Sequence, residues 1–123
     1  MTVTLPLNET GTVVLDGSGN GTLAMRPDGS REYWLPELVS EAAPNPAGGI
    51  PASEARFDLY IGHKVAQQYF VDGTYTGSSG NSTDKVNGYT VGRHADAQII
   101  GVWTGGDPGA VATMRVQGTK ELR

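Results

Sequence analysis

The chain contains no cysteine. This absence excludes disulfide frameworks, thiolate nucleophiles and zinc sites with cysteine ligands, so the fold has to be stabilised by packing alone. Charge is scarce too, because only 18% of the 123 residues are charged and nine Lys and Arg stand against thirteen Asp and Glu. A net charge of −4 without a concentrated basic face argues against a nucleic-acid partner.

Long apolar runs are also missing. The N-terminal segment MTVTLPLNETG has neither the basic start nor the apolar core of a signal peptide. No window approaches the roughly 18 apolar residues that a membrane-spanning helix needs. The sequence therefore predicts no membrane partner and no export by the ordinary route, and both predictions fit a protein without disulfides.

The sequence contains none of the common motifs that bring catalytic residues together. There is no P-loop, nucleophile elbow, H-E-x-x-H motif or dinucleotide fingerprint. His63 and His94 lie far apart, and neither has a carboxylate or a second histidine at ligand spacing. We interpret both as surface histidines rather than catalytic bases. The sequence predicts a non-enzymatic protein with no catalytic, cofactor-binding or metal-binding residues.

Glycine is abundant, with 18 residues, and seven prolines accompany it. They leave hardly any window with helical periodicity, whereas apolar residues alternate with period two in segments such as RFDLYI. Turn-forming clusters divide the chain into about eight strands. This pattern predicts an all-β protein with a single domain over residues 1–123, an antiparallel two-sheet β-sandwich of jelly-roll type; a small β-barrel is the alternative.

Individual segments carry more detailed predictions. Residues 1–11 are expected to form an extended N-terminal arm or the first strand, and residues 41–55, rich in Pro and Gly, the longest loop. Pro36 indicates an edge strand or a bulge. AQIIGVWT and GAVATMRV flank a Gly-Gly-Asp-Pro-Gly turn and are predicted to be adjacent antiparallel strands. The segment TYTGSSGNST is predicted to connect one sheet to the other.

One segment invites a test as a calcium loop. Asp16, Ser18 and Asn20 alternate with glycine as in the opening of an EF-hand loop. The match ends there, because position twelve is Pro27 instead of an acidic residue and the flanking segments have strand periodicity. A hairpin turn rich in Gly and Asn is the preferred interpretation, with a weak cation site as the alternative.

Aromatic residues raise a third hypothesis, a carbohydrate-binding sandwich in which exposed rings stack on sugars. Trp103 is in phase with Ile99, and Trp34 with Leu38, so core packing is expected for both tryptophans. Tyr60 lies opposite the apolar face of its strand and is expected to point outward, towards a sugar or another protein. The remaining candidates are Tyr69, Tyr75 and Tyr89.

Two segments, DGTYTGSSGNSTD and VWTGGDPGAVATMRVQG, resemble a group of small Gly/Thr-rich virion structural proteins of tailed bacteriophages, particularly those infecting actinobacteria. The resemblance implies a capsid decoration or minor capsid subunit, or a tail-associated protein, bound to the particle in many copies. It implies the major capsid protein or tail proteins as partners, a homo-oligomer such as a trimer, and a location in the virion after assembly in the host cytoplasm. It implies no catalytic residues.

Overall fold

A computed structural model describes residues 2–62, 70–75, 81–86, 88–93 and 98–123. Within these ranges the secondary structure is all β, because apolar and polar side chains alternate over short segments that Gly, Pro, Asn and Asp interrupt. The strands are β1 (Val3–Val14), β2 (Gly21–Met25), β3 (Glu32–Ala42), β4 (Arg56–Gly62), β5 (Phe70–Tyr75), β6 (Asn81–Lys85), β7 (Gln98–Thr104) and β8 (Val111–Leu122).

The strands form two four-stranded antiparallel sheets. The first sheet has the order β1-β8-β3-β6 and the second the order β2-β7-β4-β5. Consecutive strands alternate between the sheets except for β4 and β5, which pair with each other. This is the strand order of a jelly roll, so the predicted sandwich is confirmed. The alternative of a small barrel is wrong, because the strands form two separate sheets instead of one closed one.

Two predicted hairpins are wrong. β7 lies in the second sheet and β8 in the first, so the Gly-Gly-Asp-Pro-Gly turn crosses between sheets instead of joining adjacent strands. The turn at 16–20 likewise joins β1 to β2 in the opposite sheet. Gly, Asn and Asp permit both kinds of turn, and alternation does not say which strands pair. The predicted crossing between β5 and β6 is confirmed by their sheets, although its central residues, 76–80, lie outside the described ranges.

Pro36 lies in an interior strand, since β3 is flanked by β8 and β6. The register of β3 against β8 shifts between Pro36 and Leu38, so the predicted bulge is present, and the pairing of β3 with β6 begins only at Leu38. Gly118 of β8 is the register partner of Pro36. A Cβ atom there would lie 2.3 Å from the carbonyl oxygen of Leu35, so the close approach of the two strands requires glycine.

The two segment boundaries predicted near β1 and β3 can now be placed. Strand β1 pairs with β8 along its whole length, from Val3 to Val14, so the N-terminal segment is part of a sheet. Strand β3 extends to Ala42, so the loop predicted to begin at residue 41 begins after that residue, and Glu41 belongs to the sheet. Alternation continues through Glu41, but the neighbouring prolines and glycines hide it in the sequence.

The core fills the space between the two sheets. Its largest fully buried side chains include Trp103 and Phe57 of the second sheet and Met114 of the first. The rings of Trp103 and Phe57 lie 5.1 Å apart at a tilt of 46°. Trp34 is also buried, with 4% of its surface exposed. The predicted core positions of both tryptophans are therefore confirmed.

The antiparallel strands give the sandwich two ends. We call the first the loop end; it carries the connections 15–20, 43–55 and 105–110 and the strand ends beside them. We call the second the terminal end; it carries the connections 26–31 and 88–93, the first residues of β1 and the last residues of β8. The candidate interaction surfaces lie at these ends.

Candidate interaction surfaces

The loop end is held together by hydrogen bonds between two crossing connections. The N–H of Gly106 donates to the carbonyl oxygen of Gly19 at 2.9 Å, and the N–H of Gly105 donates to Oδ1 of Asn20 at 3.0 Å. Gly19 has a positive φ of 76°, and a Cβ atom there would lie 1.9 Å from the carbonyl oxygen of Gly106. Only glycine allows this approach, so the glycine-rich composition of both turns has a packing reason.

Asp107 attaches the connection 43–55 to the connection 105–110. Its carboxylate accepts hydrogen bonds from the N–H groups of Ala52 at 2.8 Å and Ser53 at 2.9 Å. The hydroxyl of Ser53 donates to the carbonyl oxygen of Gly105 at 2.6 Å. Asp107 is only 6% exposed, and these charge-assisted hydrogen bonds satisfy a carboxylate that burial would otherwise destabilise. The long loop is thus anchored on the connection 105–110.

The segment that was compared with a calcium loop forms a turn with its own backbone. Oδ1 of Asp16 accepts hydrogen bonds from the N–H of Ser18 at 2.8 Å and of Asn20 at 3.0 Å. These bonds, the one from Asn20 foremost, hold the pKa of Asp16 below its usual value. Asp16 therefore serves as the acceptor of a turn, and the described ranges hold no cluster of three or more His, Cys, Asp or Glu residues that could hold a metal ion.

A buried carboxyl group links the two sheets near the loop end. Glu41 of β3 is 3% exposed. Its Oε1 accepts a hydrogen bond from the indole Nε1 of Trp103 at 3.0 Å, across the sandwich. Its Oε2 accepts one from the hydroxyl of Ser82 at 3.1 Å, on the neighbouring edge strand β6. Glu41 therefore connects an interior strand of the second sheet with an edge strand of the first.

Burial raises the pKa of Glu41 to about 7 from an ordinary value of 4.5. The hydrogen bonds from Trp103 and Ser82 act in the opposite direction, and the nearby carboxylate of Asp84 adds to the increase. Sequence analysis missed this residue because its segment was predicted to be a loop. The signal that could have found it is phase: Glu41 falls two residues after the buried Val39, on the core-facing side of the strand.

The aromatic candidates for sugar stacking are mostly internal. Trp34 and Trp103 are core residues, and Tyr89 is partly buried and packs against the core. Tyr60 lies on the outer face of the second sheet, as its phase predicts, but it is half-buried opposite Ile100. The remaining candidates lie outside what the structure describes: Tyr69, the side chain of Tyr75, His63 and His94.

The outer face of the first sheet is rich in hydroxyl and amide groups. Thr12 and Thr113 are directly paired across β1 and β8, and the hydroxyl of Thr83 donates to that of Ser40 at 3.3 Å. The Nε of Arg115 donates to Oδ1 of the exposed Asn8 at 2.7 Å instead of to a carboxylate. This face is rich in polar side chains and carries few charges.

Large apolar side chains are exposed at both ends. In the described part of the chain there are six of them, and three lie at each end. Those at the loop end are Val14, Ile50 and Val111, and those at the terminal end are Val3, Leu5 and Leu122. No described helix is long and apolar enough to span a membrane.

Comparisons with known proteins identify the fold. No protein-family model matches the chain, and no curated protein is similar to it in sequence. A chain of Desmodium yellow mottle tymovirus superimposes with a TM-score of 0.58 and 10% identity, covering 99% of this chain and 87% of the other. A chain of the empty head of turnip yellow mosaic virus gives a TM-score of 0.58 and 12% identity, covering 100% and 82%. At these identities the likeness is one of fold.

Proposed function

We propose that this protein is a non-enzymatic structural subunit of a virus particle, present in many copies. The observation that carries the proposal is the complete jelly-roll strand order, β1-β8-β3-β6 packed on β2-β7-β4-β5, over a length that virus chains of the same fold cover almost fully. One of these chains comes from an empty virus head. A fold is compatible with many functions, so the surfaces have to support the same conclusion.

The surfaces are better suited to contacts between proteins than to catalysis. The buried polar groups of the loop end, Asp107 and Glu41, are engaged in hydrogen bonds that hold connections and sheets together. The first sheet presents a sparsely charged face of hydroxyl and amide groups, and each end exposes apolar side chains. Such surfaces suit weak contacts that are repeated over many copies and add through avidity.

The finer assignment combines the fold with the resemblance of residues 72–84 and 102–118 to bacteriophage virion proteins. We propose a decoration or minor capsid subunit of a tailed bacteriophage, attached to the major capsid protein, with attachment to tail proteins as the alternative. A homo-oligomer such as a trimer fits this proposal, as does assembly in the host cytoplasm for a chain without cysteine.

The test is sedimentation with assembled particles. The chain is produced alone and together with the shell or tail proteins of the same phage, and the particle fraction is analysed for its presence and copy number. A decoration subunit should co-sediment with shells in many copies and form no closed particle alone. Closed particles formed by the chain alone would instead identify a shell-forming protein. A chain that stays unbound and gives a consistent hit on a glycan array would contradict the proposal and support a carbohydrate-binding module.

A second variant set locates the contact surface. Ile50 lies in the connection 43–55 with 69% of its surface exposed, so Ile50→Ser should weaken attachment without altering the fold. Ala47→Ser changes an exposed residue of the same loop and serves as the matched control. Attachment that is equally strong in both variants would place the contact elsewhere, with substitutions at Tyr60 as the next test.

A further inference from the structure

The two ends of the sandwich have opposite charge. The described connections of the loop end contain three acidic residues, Asp16, Glu54 and Asp107, and no Lys or Arg. Asp16 and Glu54 are exposed. Arg56, the first residue of β4, also lies at this end, but its guanidinium is paired with Asp58 at 3.1 Å. The loop end is therefore acidic.

The terminal end has an excess of basic residues among those described. Lys120 and Arg123 form ion pairs with carboxylates of Glu9, Glu32 and Glu121. The three remaining bases are exposed, and none forms an ion pair with another described residue. These bases are Arg26, Arg31 and Arg93. Besides the three paired glutamates, Asp28 is the one acidic residue in the described connections of this end.

Apolar and basic groups meet in one place at the terminal end. An open depression there is lined by Val3, Arg31, Leu122 and Arg123. Val3 is 44% exposed and Leu122 38%, and the two are cross-strand neighbours in β1 and β8. At the loop end the complementary combination occurs on a protruding connection, where Ile50 is 69% exposed and Glu54 follows four residues later.

We infer that copies of this chain associate head to tail, with Ile50 and Glu54 of one copy docked on the Val3, Arg31 and Leu122 depression of the next. The apolar side chains lose contact with water in this arrangement, and opposite charges approach each other. A contact between two copies of the same end would instead bring like charges together. The inference deepens the proposed function, since it names another copy of the chain as one partner of a repeated subunit.

Head-to-tail contacts are heterologous, because different surfaces of the two copies meet. Such contacts leave an unoccupied donor end and an unoccupied acceptor end in every open oligomer. They therefore generate rings when the rotation between copies closes, and chains when it does not. This property separates the inference from a two-fold dimer.

The experiment uses the purified full chain and two variants, each damaged at one end. Ile50→Ser with Glu54→Lys alters the loop end, and Arg31→Glu with Leu122→Ser alters the terminal end. The control carries Lys85→Glu and Ala24→Ser, two exposed changes on β6 and β2 that lie outside both proposed contact patches. Thermal unfolding and far-UV circular dichroism establish that each variant is folded. Sedimentation velocity and light scattering then measure association up to about 1 mM.

The wild-type chain and the control should associate with increasing concentration, and about 0.5 M salt should weaken that association. Each single-end variant should associate at least tenfold more weakly. An equimolar mixture of the two variants should form 1:1 dimers, because the intact end of one meets the intact end of the other.

A mixture that stays monomeric while the wild type associates would rule out a head-to-tail contact, as would a wild type that is monomeric at about 1 mM in low salt. The proposed function is tested separately by particle sedimentation. A chain that binds particles but never self-associates contradicts only this inference, and a chain whose variants dimerise but which never joins a particle contradicts only the proposed function.

Discussion

Two hydrogen bonds of the same type lie near opposite ends of the sandwich in different surroundings. Near the loop end, the indole N–H of Trp103 donates to Glu41 at 3.0 Å, and this glutamate is 3% exposed. Near the terminal end, that of Trp34 donates to Glu32 at 2.9 Å. Glu32 is half-buried, and its carboxylate lies 3.9 Å from the Nζ of Lys120.

The difference concerns water and counter-ions. Glu32 has both within reach, whereas the described groups that act on Glu41 are the neutral donors Trp103 and Ser82 and the carboxylate of Asp84, and burial raises its pKa to about 7. The polar groups buried near the loop end, Glu41 and Asp107, thus hold sheets and connections together. At the terminal end, β1 and β8 extend beyond the covered core, so that core-phase side chains such as Val3 and Leu5 are exposed. The predictions below test this contrast.

The largest loss of stability is expected for a core substitution near the loop end. Trp103→Ala removes a fully buried ring and leaves Glu41 without its indole donor, so the free energy of unfolding should fall by about 3–5 kcal/mol. Urea denaturation measures the loss. Trp103→Phe retains an aromatic ring but removes the donor, and it should fall between the alanine variant and the wild type. A loss below about 1 kcal/mol for Trp103→Ala would contradict core packing of this residue.

The position of Trp103 could be predicted from the sequence, but the partner of its strand could not. Alternation in AQIIGVWT places Trp103 on the buried side because it shares the phase of Ile99, and this is local information. Whether β7 pairs with β8 or packs against its sheet depends on contacts between residues distant in sequence. The same limit applies to Val3 and Leu5, whose phase matches the buried Leu7 although the opposite sheet leaves them uncovered.

For the loop end, the sequence predicts only that its connections are tight turns. The glycines of 16–20 and 105–110 indicate tight connections, but their mutual hydrogen bonds follow from the jelly-roll topology. Glu41 is missed because a buried carboxyl in a strand has no composition signal and the prolines that follow it favour a loop; only its phase with Val39 indicates the core-facing side. At such a residue the local sequence pattern and the tertiary structure disagree.

The second prediction concerns the junction of the loop-end connections. Gly19→Ala places a Cβ atom 1.9 Å from the carbonyl oxygen of Gly106 at a residue with positive φ, so the connections have to separate. We expect a loss of about 2–4 kcal/mol in the free energy of unfolding. Gly17→Ala is the matched control, since it lies in the same connection with open space around it. Equal stability of the two variants would contradict the interlocked arrangement.

The third prediction is a pH dependence that arises at Glu41. Its folded pKa of about 7 lies above the ordinary value of 4.5, so between these pH values the folded state retains a proton that the unfolded state has lost. The contribution to stability is complete below about pH 4.5 and is lost as the pH rises to about 7. The full change amounts to at most roughly 3 kcal/mol.

Thermal or urea unfolding between pH 4.5 and 8 measures this dependence. Glu41→Gln keeps the hydrogen-bonding shape without a titrating group, so its stability should lack the decline that Glu41 causes in the wild type. Ser82→Ala removes a donor to the charged form and so raises the folded pKa further, and the decline, which still begins near pH 4.5, should extend to higher pH. Parallel pH profiles of Glu41→Gln and the wild type would show that Glu41 does not titrate in this range.

The smallest loss of stability is expected for Leu5→Ala at the terminal end, where the side chain is exposed. Leu5 and Leu7 share one face of β1, but Leu5 is 38% exposed and Leu7 only 2%. Leu7→Ala should lower the free energy of unfolding by about 2–5 kcal/mol, whereas Leu5→Ala should lower it by no more than about 1 kcal/mol. Urea denaturation of the pair decides the comparison. Similar losses would mean that Leu5 is part of the core. The expected difference would leave Leu5 available for contact with a neighbouring protein.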